Sequence, residues 1–253
     1  MKKLTSLACL CALAVPAAFG ATLIHDYQFQ GNLNDSLGGP ALTSNGGTTN
    51  PADYTFGANQ GLSLSNGFMN GVTPFADNYT MLIRFVFPRV NSTDTFAKIL
   101  DFKNMASDNG LYSEQSPSGG TSALLASFLG AGSAISPSQV IFNGTPVTIV
   151  LSRNSVTGAF KAYAGGVLQF TQTDSGSDAV FNAANQMAKF FIDDSVTSPV
   201  EGVPGSVFRI MIWDGVLTDQ QVGDLSAVPE PATFALFGVG LVAIGIARKR
   251  ARR

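Results

Sequence analysis

In Tyr79–Phe87, five large apolar side chains fall on one side of an extended chain: Tyr79, Met81, Ile83, Phe85 and Phe87, with Thr80 and Arg84 opposite. That period of two belongs to a strand buried on one face, because a helix would scatter the same five around its circumference. Val147, Ile149 and Leu151 repeat the pattern, as do Phe208, Ile210 and Ile212 within Ser206–Trp213. Leu23–Gln30 shows it too, with Leu23, His25, Tyr27 and Phe29 facing Asp26, Gln28 and Gln30. Shorter candidates are Gly61–Ser65, Ala97–Phe102, Leu124–Phe128, Ala159–Ala164 and Lys189–Ile192. Turn residues punctuate them at Asn45-Gly46-Gly47, Asp108-Asn109-Gly110, Thr157-Gly158 and Gly165-Gly166. Many short strands at this spacing predict an all-β fold, two antiparallel sheets packed as a sandwich. One helix start is legible: Thr218 and Gln221 form a capping box, with Val222 and Leu225 as the buried side.

The strands are bracketed by two segments of different character. Lys2-Lys3 precede the apolar run Leu4–Val15, and small residues at Ala18 and Gly20 suit a cut before Ala21, with a second site after Ala17. This is the pattern of a secretory signal peptide over residues 1–20. Cys9 and Cys11 both fall inside it, and they are the two cysteines of the chain. An exported domain without disulfides must be held by its core alone or by a metal.

At the other end, Pro229-Glu230-Pro231 precedes an apolar run, Ala232–Ala247, and then Arg248-Lys249-Arg250-Ala251-Arg252-Arg253. Sixteen residues make roughly 24 Å of helix, short against a hydrocarbon core of roughly 30 Å. The basic end stays cytoplasmic by the positive-inside rule. Each proline holds its neighbourhood extended, so the triplet is exposed to a processing enzyme. Triplet, span and Arg-rich end in that order resemble the PEP-CTERM sorting signal of Gram-negative bacteria. The resemblance implies an exosortase-type processing enzyme as partner, a C-terminal hydrophobic helix that contacts the membrane transiently, and a removable address over residues 228–253. An ordinary tail anchor is the alternative reading of the same residues.

Residues 21–227 then form one domain, long enough for a substantial core. Within residues 21–228 there are sixteen acidic and eight basic side chains, a net of −8. That balance argues against nucleic acid as a partner. Asp26-Tyr27-Gln28-Phe29-Gln30-Gly31-Asn32-Leu33-Asn34-Asp35-Ser36 is similar to the first strand and turn of laminin-G-like, concanavalin-A-like domains, and Gly205–Leu225 resembles their last strand and the segment after it. The resemblance implies a jelly roll used mostly for binding sugars or proteins, although some members of the fold class hydrolyse glycans.

The residue inventory does not point to an enzyme. His25 is the single histidine and sits on an apolar strand face, as a buried structural histidine would. No Ser-His-Asp or Cys-His set can be assembled around it, and histidine-rich zinc sites are excluded. A glycosidase needs two carboxylates across a cleft; the domain has two glutamates, Glu114 and Glu201, and no Glu-x-Asp-x-x-Glu strand of the laminarinase type.

Two binding chemistries remain. Asp193-Asp194 follow the apolar Phe190-Phe191-Ile192, Glu201 lies in the same loop, and Asp26 or Asp35 could approach from the first strand and turn. Calcium takes six to eight oxygen ligands, so this set suits it; a solvated acidic loop is the competing reading. Sugar platforms use exposed Trp or Tyr. Trp213 is therefore a candidate platform at the Asp214-Gly215 turn, against a packing role, and Tyr112 is a loop candidate beside the polar stretch Ser113–Thr121. The expectation is an exported, non-catalytic module at the cell surface or in an extracellular matrix, structural or adhesive in exopolysaccharide or biofilm. The alternatives are a calcium-dependent lectin and, more remotely, a glycan hydrolase or lyase.

Overall fold

A computed structural model describes residues 20–65, 77–88, 96–115, 121–130, 132–181, 187–194 and 201–227. The signal-peptide segment up to residue 19 and the sorting segment from 228 onward, with Pro229, Glu230, Pro231 and the basic cluster Arg248–Arg253, lie outside these residues.

Among the described residues, sixteen strands and one helix follow in order: β1 (Thr22–Tyr27), β2 (Thr43–Asn45), β3 (Thr48–Thr49), β4 (Tyr54–Phe56), β5 (Gly61–Ser65), β6 (Tyr79–Val86), β7 (Phe96–Asp101) and β8 (Gly110–Gln115). Then come β9 (Ser122–Leu129), β10 (Gly132–Ile135), β11 (Ile141–Phe142), β12 (Val147–Arg153), β13 (Ala159–Ala164), β14 (Val167–Thr173), β15 (Met187–Phe190), β16 (Gly205–Asp214) and α1 (Asp219–Ala227). They form two eight-stranded sheets. One runs β14-β13-β12-β6-β16-β4-β3 with β1 also on β16; the other runs β10-β9-β8-β7-β15-β5-β2 with β11 also on β9. Every strand pair is antiparallel. The architecture is the two-sheet antiparallel sandwich that the alternation predicts and the jelly roll that the resemblance implies.

The core explains why. Tyr79, Met81, Ile83, Phe85 and Phe87 are all fully buried between the sheets. Phenylalanines fill the space: Phe56 stacks on Phe191 at 4.4 Å between centroids, and Phe85 tilts against Phe87 at 4.8 Å. A smaller cluster lies on the outer face of the β6/β16 sheet, where Leu82, Val150, Tyr163, Met211, Trp213 and Leu217 pack with Val222 of α1. The helix begins as its capping box requires. Thr218 N–H donates to Gln221 Oε1 at 2.8 Å, and Gln221 N–H donates to Thr218 Oγ1 at 3.2 Å.

Register shifts correct the simple alternation in β16 and β1, and further ones lie at Ala162/Tyr163 and Lys98/Leu100. In β16 the register shifts between Val207 and Arg209, so Val207 joins Ile210 and Ile212 in the core while Phe208 is only half-buried. An extra residue reverses the face of everything before it. In β1 the shift lies between Leu23 and His25, which sends Leu23 to the outer cluster and Tyr27 to the core. The strand also stops at Tyr27, short of the Gln30 expected, because Phe29 turns the chain with a φ of 51°.

Candidate functional site

The acidic residues expected to share one site divide between two. Asp26 lies on β1 and faces Arg209 of β16, whose Nε and Nη2 donate to Asp26 Oδ1 and Oδ2 at 2.9 and 3.0 Å. Burial works against charge on Asp26, but the Arg209 hydrogen bonds hold its carboxyl below the usual range. Asp35, bridged to Tyr27, pairs with His25 Nδ1 at 2.7 Å and accepts the backbone N–H of Asp26 and of Leu37. Burial again opposes the charge, and these bonds overcome it, lowering the pKa. Asp26 and Asp35 are therefore spent in pinning the first turn to the last strand. Among the described residues neither joins the carboxylates of Asp194 and Glu201, a correction to the expected ligand set. His25 is buried and stacks near Tyr27, 5.9 Å between ring centroids.

The second site is built around Lys98, which projects from β7 into a pocket of carboxylates. Its ammonium is 2.6 Å from Asp194 Oδ2, 3.3 Å from Asp101 Oδ2 and 4.0 Å from Asp108 Oδ1. It also stands 4.9 Å above the ring of Tyr112, a cation–π contact. Tyr112 donates its hydroxyl to Asp108 Oδ1 at 2.6 Å. The loop before β16 is tied in through its backbone, since Lys98 N–H donates to Glu201 O at 2.9 Å. Carboxylate oxygens of Asp108, Asp194 and Glu201 all lie within 4.8 Å of one another. Neither Lys98 nor Asp108 was legible from sequence. Lys98 reads as one polar residue inside an apolar strand, its nearest carboxylate, Asp194, is 96 residues away, and Asp108 reads as turn punctuation.

Charge is unbalanced there. Asp101, Asp108, Asp193, Asp194 and Glu201 gather around Lys98, with Lys189 facing Asp101 from β15. Burial raises Asp101 and Asp193 above the ordinary carboxyl value. Glu201 is pushed up to about 7, first by burial and then by the charges of Asp193 and Asp108. Its Oε2 is buried without a hydrogen-bond partner, as is Asp193 Oδ2. Burial and the bond to Asp108 push the Tyr112 hydroxyl up as well, keeping it a donor. The site holds a buried lysine firmly and accepts protons near neutrality.

Neither expected aromatic presents a ring to solvent. Trp213 is 7 % exposed beneath α1, and Tyr112 is 1 % exposed in β8 rather than in a loop. All five tyrosines are buried: Tyr27, Tyr54, Tyr79, Tyr112 and Tyr163. Tryptophan and tyrosine therefore supply core volume here, and stacking of a sugar on either is ruled out in this conformation.

Residues 227–253 match a family model described as the PEP-CTERM protein-sorting motif. No curated protein matches the chain. Among solved structures, one that is similar is domain 4 of AbnA, a GH43 extracellular arabinanase from Geobacillus stearothermophilus, in complex with arabinotriose. It shows a TM-score of 0.57 and 20 % identity, over 81 % of this chain and 98 % of that one. Another is a botulinum neurotoxin type C structure, described by the dependence of cell entry on two ganglioside molecules, with a TM-score of 0.59 and 12 % identity over 81 % of this chain. A third is the binding domain of botulinum neurotoxin DC in complex with rat synaptotagmin II, at 0.58 and 12 % over 81 % of this chain. The chain spans about half the length of these toxin chains, 50 % and 51 %. At such identities the likeness shows a shared sandwich fold. The C-terminal match marks an exported protein, sorted at the membrane of a Gram-negative bacterium by the signal an exosortase recognises. Among the described residues no helix is long and apolar enough to cross a membrane.

Proposed function

We propose that the chain is a non-catalytic glycan-interaction module, delivered by its C-terminal sorting segment to the cell surface or extracellular matrix, where it associates with exopolysaccharide. The observation that carries this reading is the joining of a sorting motif at 227–253 to a jelly-roll domain. One similar solved domain is described in complex with arabinotriose. The disposition of charge supports a non-catalytic role: Asp26, Asp35 and Asp174 are bound to Arg209, His25 and Arg153, and Lys98 is enclosed by carboxylates. Each of these groups is engaged in an ion pair within the fold. The test is pull-down of the full chain on insoluble exopolysaccharide, with reducing-sugar release measured in parallel. Retention without release supports the module. Release that Glu201→Gln abolishes would turn the reading to hydrolysis, and absence of retention would remove glycan as the partner.

A second reading, calcium-dependent binding, draws on the group Asp108, Asp194 and Glu201 and on the unpartnered Glu201 Oε2. The donors are of the right kind, but Lys98 already takes Asp194 at 2.6 Å, so calcium must compete with an ammonium. The reading requires that calcium raise the melting temperature and that Glu201→Gln cancel the rise. An unchanged melting temperature leaves Lys98 as the counter-ion of the cluster.

A further inference from the structure

Beyond β1 the chain turns around a depression of about 240 Å³, lined by Gln28, Phe29, Gln30, Asn32, Asn34 and Ser36. Its rim is braced from beneath. Asp26 Oδ2, held by Arg209, also accepts from Gln28 Nε2 at 2.7 Å and from Ser36 Oγ at 3.2 Å. Asn32 is consumed inside the loop, donating to Gln30 O at 3.1 Å and accepting from Asn34 N–H at 2.9 Å. Phe29 adopts a φ of 51° with its side chain buried against Tyr54, 6.5 Å between centroids. A bulky residue in the left-handed region persists only where its surroundings over-determine it, and such strain concentrates at ligand clamps.

What the braced loop leaves available is specific. The side-chain carboxamides of Gln30 and Asn34 make no hydrogen bond to any described residue, and both are exposed. Gln28 donates inward and keeps its Oε1 to accept. Each free carboxamide offers two donors and one acceptor oxygen, which is the complement of neighbouring sugar hydroxyls, each both donor and acceptor. No charged residue lines the depression, and the carboxylates bordering it, Asp26 and Asp35, are paired with Arg209 and His25. Phosphate, carboxylate and ammonium ligands therefore find no counter-charge. The volume is below the roughly 300–1,000 Å³ of sites for drug-sized ligands, so it suits one ring or a chain end.

We propose that this depression is the sugar subsite of the domain, taking a neutral monosaccharide unit through Gln30, Asn34 and Gln28 Oε1. The proposal rests on the glycan-interaction reading above and gives it a place. It also accounts for recognition without an exposed Trp or Tyr: hydrogen bonds from a rigid rim replace ring stacking.

The test is isothermal titration of the detergent-purified full chain with arabinotriose, cellotriose and laminaritriose, and with sialyllactose as the charged comparison. The wild type is expected to bind at least one neutral trisaccharide. Gln30→Ala combined with Asn34→Ala weakens it about tenfold, the loss of two neutral hydrogen bonds, while the melting temperature stays unchanged because both residues are exposed. Asn34→Lys gives the same loss by filling the depression. Binding that both variants leave within about twofold overturns the subsite and spares the glycan reading, since neither side chain then contributes a hydrogen bond. Failure of every neutral trisaccharide, or preference for sialyllactose, overturns the neutral subsite, and retention on exopolysaccharide then decides the glycan reading by itself.

Discussion

The Lys98 ammonium lies 2.6 Å from the Asp194 carboxylate across 96 residues of chain, and both side chains are fully buried. The contact exists because β7 pairs with β15, with Leu100 opposite Phe190 and Asp101 opposite Lys189. Asp194 follows four residues after β15 ends and folds back over the strand that carries Lys98.

Removing Lys98 leaves Asp101 and Asp194 buried without their cation. Lys98→Met is expected to lower unfolding free energy by about 3–5 kcal/mol, the cost of breaking a buried pair from one side. Urea denaturation at neutral pH measures it. The deficit shrinks in acid, where the abandoned carboxylates accept protons. A deficit below about 1 kcal/mol, the scale of an exposed pair, would show that solvent reaches the site.

Glu201 titrates at about 7 in the folded chain against 4.5 in the absence of its surroundings. Between those values the folded state keeps a proton that the unfolded state has released, so stability falls as pH rises through this window. Asp101 and Asp193 act in the same direction. Asp26, Asp35 and Asp219 act oppositely, losing stability only as pH falls below the ordinary 3.8. Melting temperature is therefore expected to decline from pH 5 toward 8, and Glu201→Gln to flatten the decline. Parallel profiles for the two proteins would refute the assignment.

Trp213 is the single tryptophan and packs beneath α1, so its fluorescence reports whether the helix is seated. Thr218→Ala removes the cap at a cost of about 1 kcal/mol. Val222→Asp places a charge against Trp213 and Leu217, and a red shift with raised quenching by iodide is expected. An unshifted spectrum would mean that the outer cluster holds without the helix.

The triplet Pro229-Glu230-Pro231 precedes the apolar run within the matched segment. Replacing all three by Ala is expected to trap the chain in the membrane fraction at a mass that retains Arg253, while the native chain yields a mass ending near 228–231. Intact-mass spectrometry of membranes and medium separates the outcomes. Identical masses would show that the triplet is not read.

Much of the sandwich was legible because burying one face of a sheet imposes a period of two. Tyr79–Phe87 declares its core face in five residues, and the Thr218–Gln221 box declares a helix start. Alternation failed where it must, at the bulges beside Leu23 and Val207, since one inserted residue changes parity and leaves no local mark. The acidic site was legible in part. Asp194 and Glu201 were drawn together as expected, but Asp26 and Asp35 were claimed by Arg209 and His25.

The chain's order of residues determined its strands, the packing of two apolar faces and the sorting segment, because each depends on neighbours along the backbone. Tertiary structure alone decided that Lys98 would neutralise Asp194, that α1 would cover Trp213, and that Gln30 and Asn34 would keep free carboxamides. Those outcomes depend on which distant groups strand pairing and packing bring within hydrogen-bonding reach.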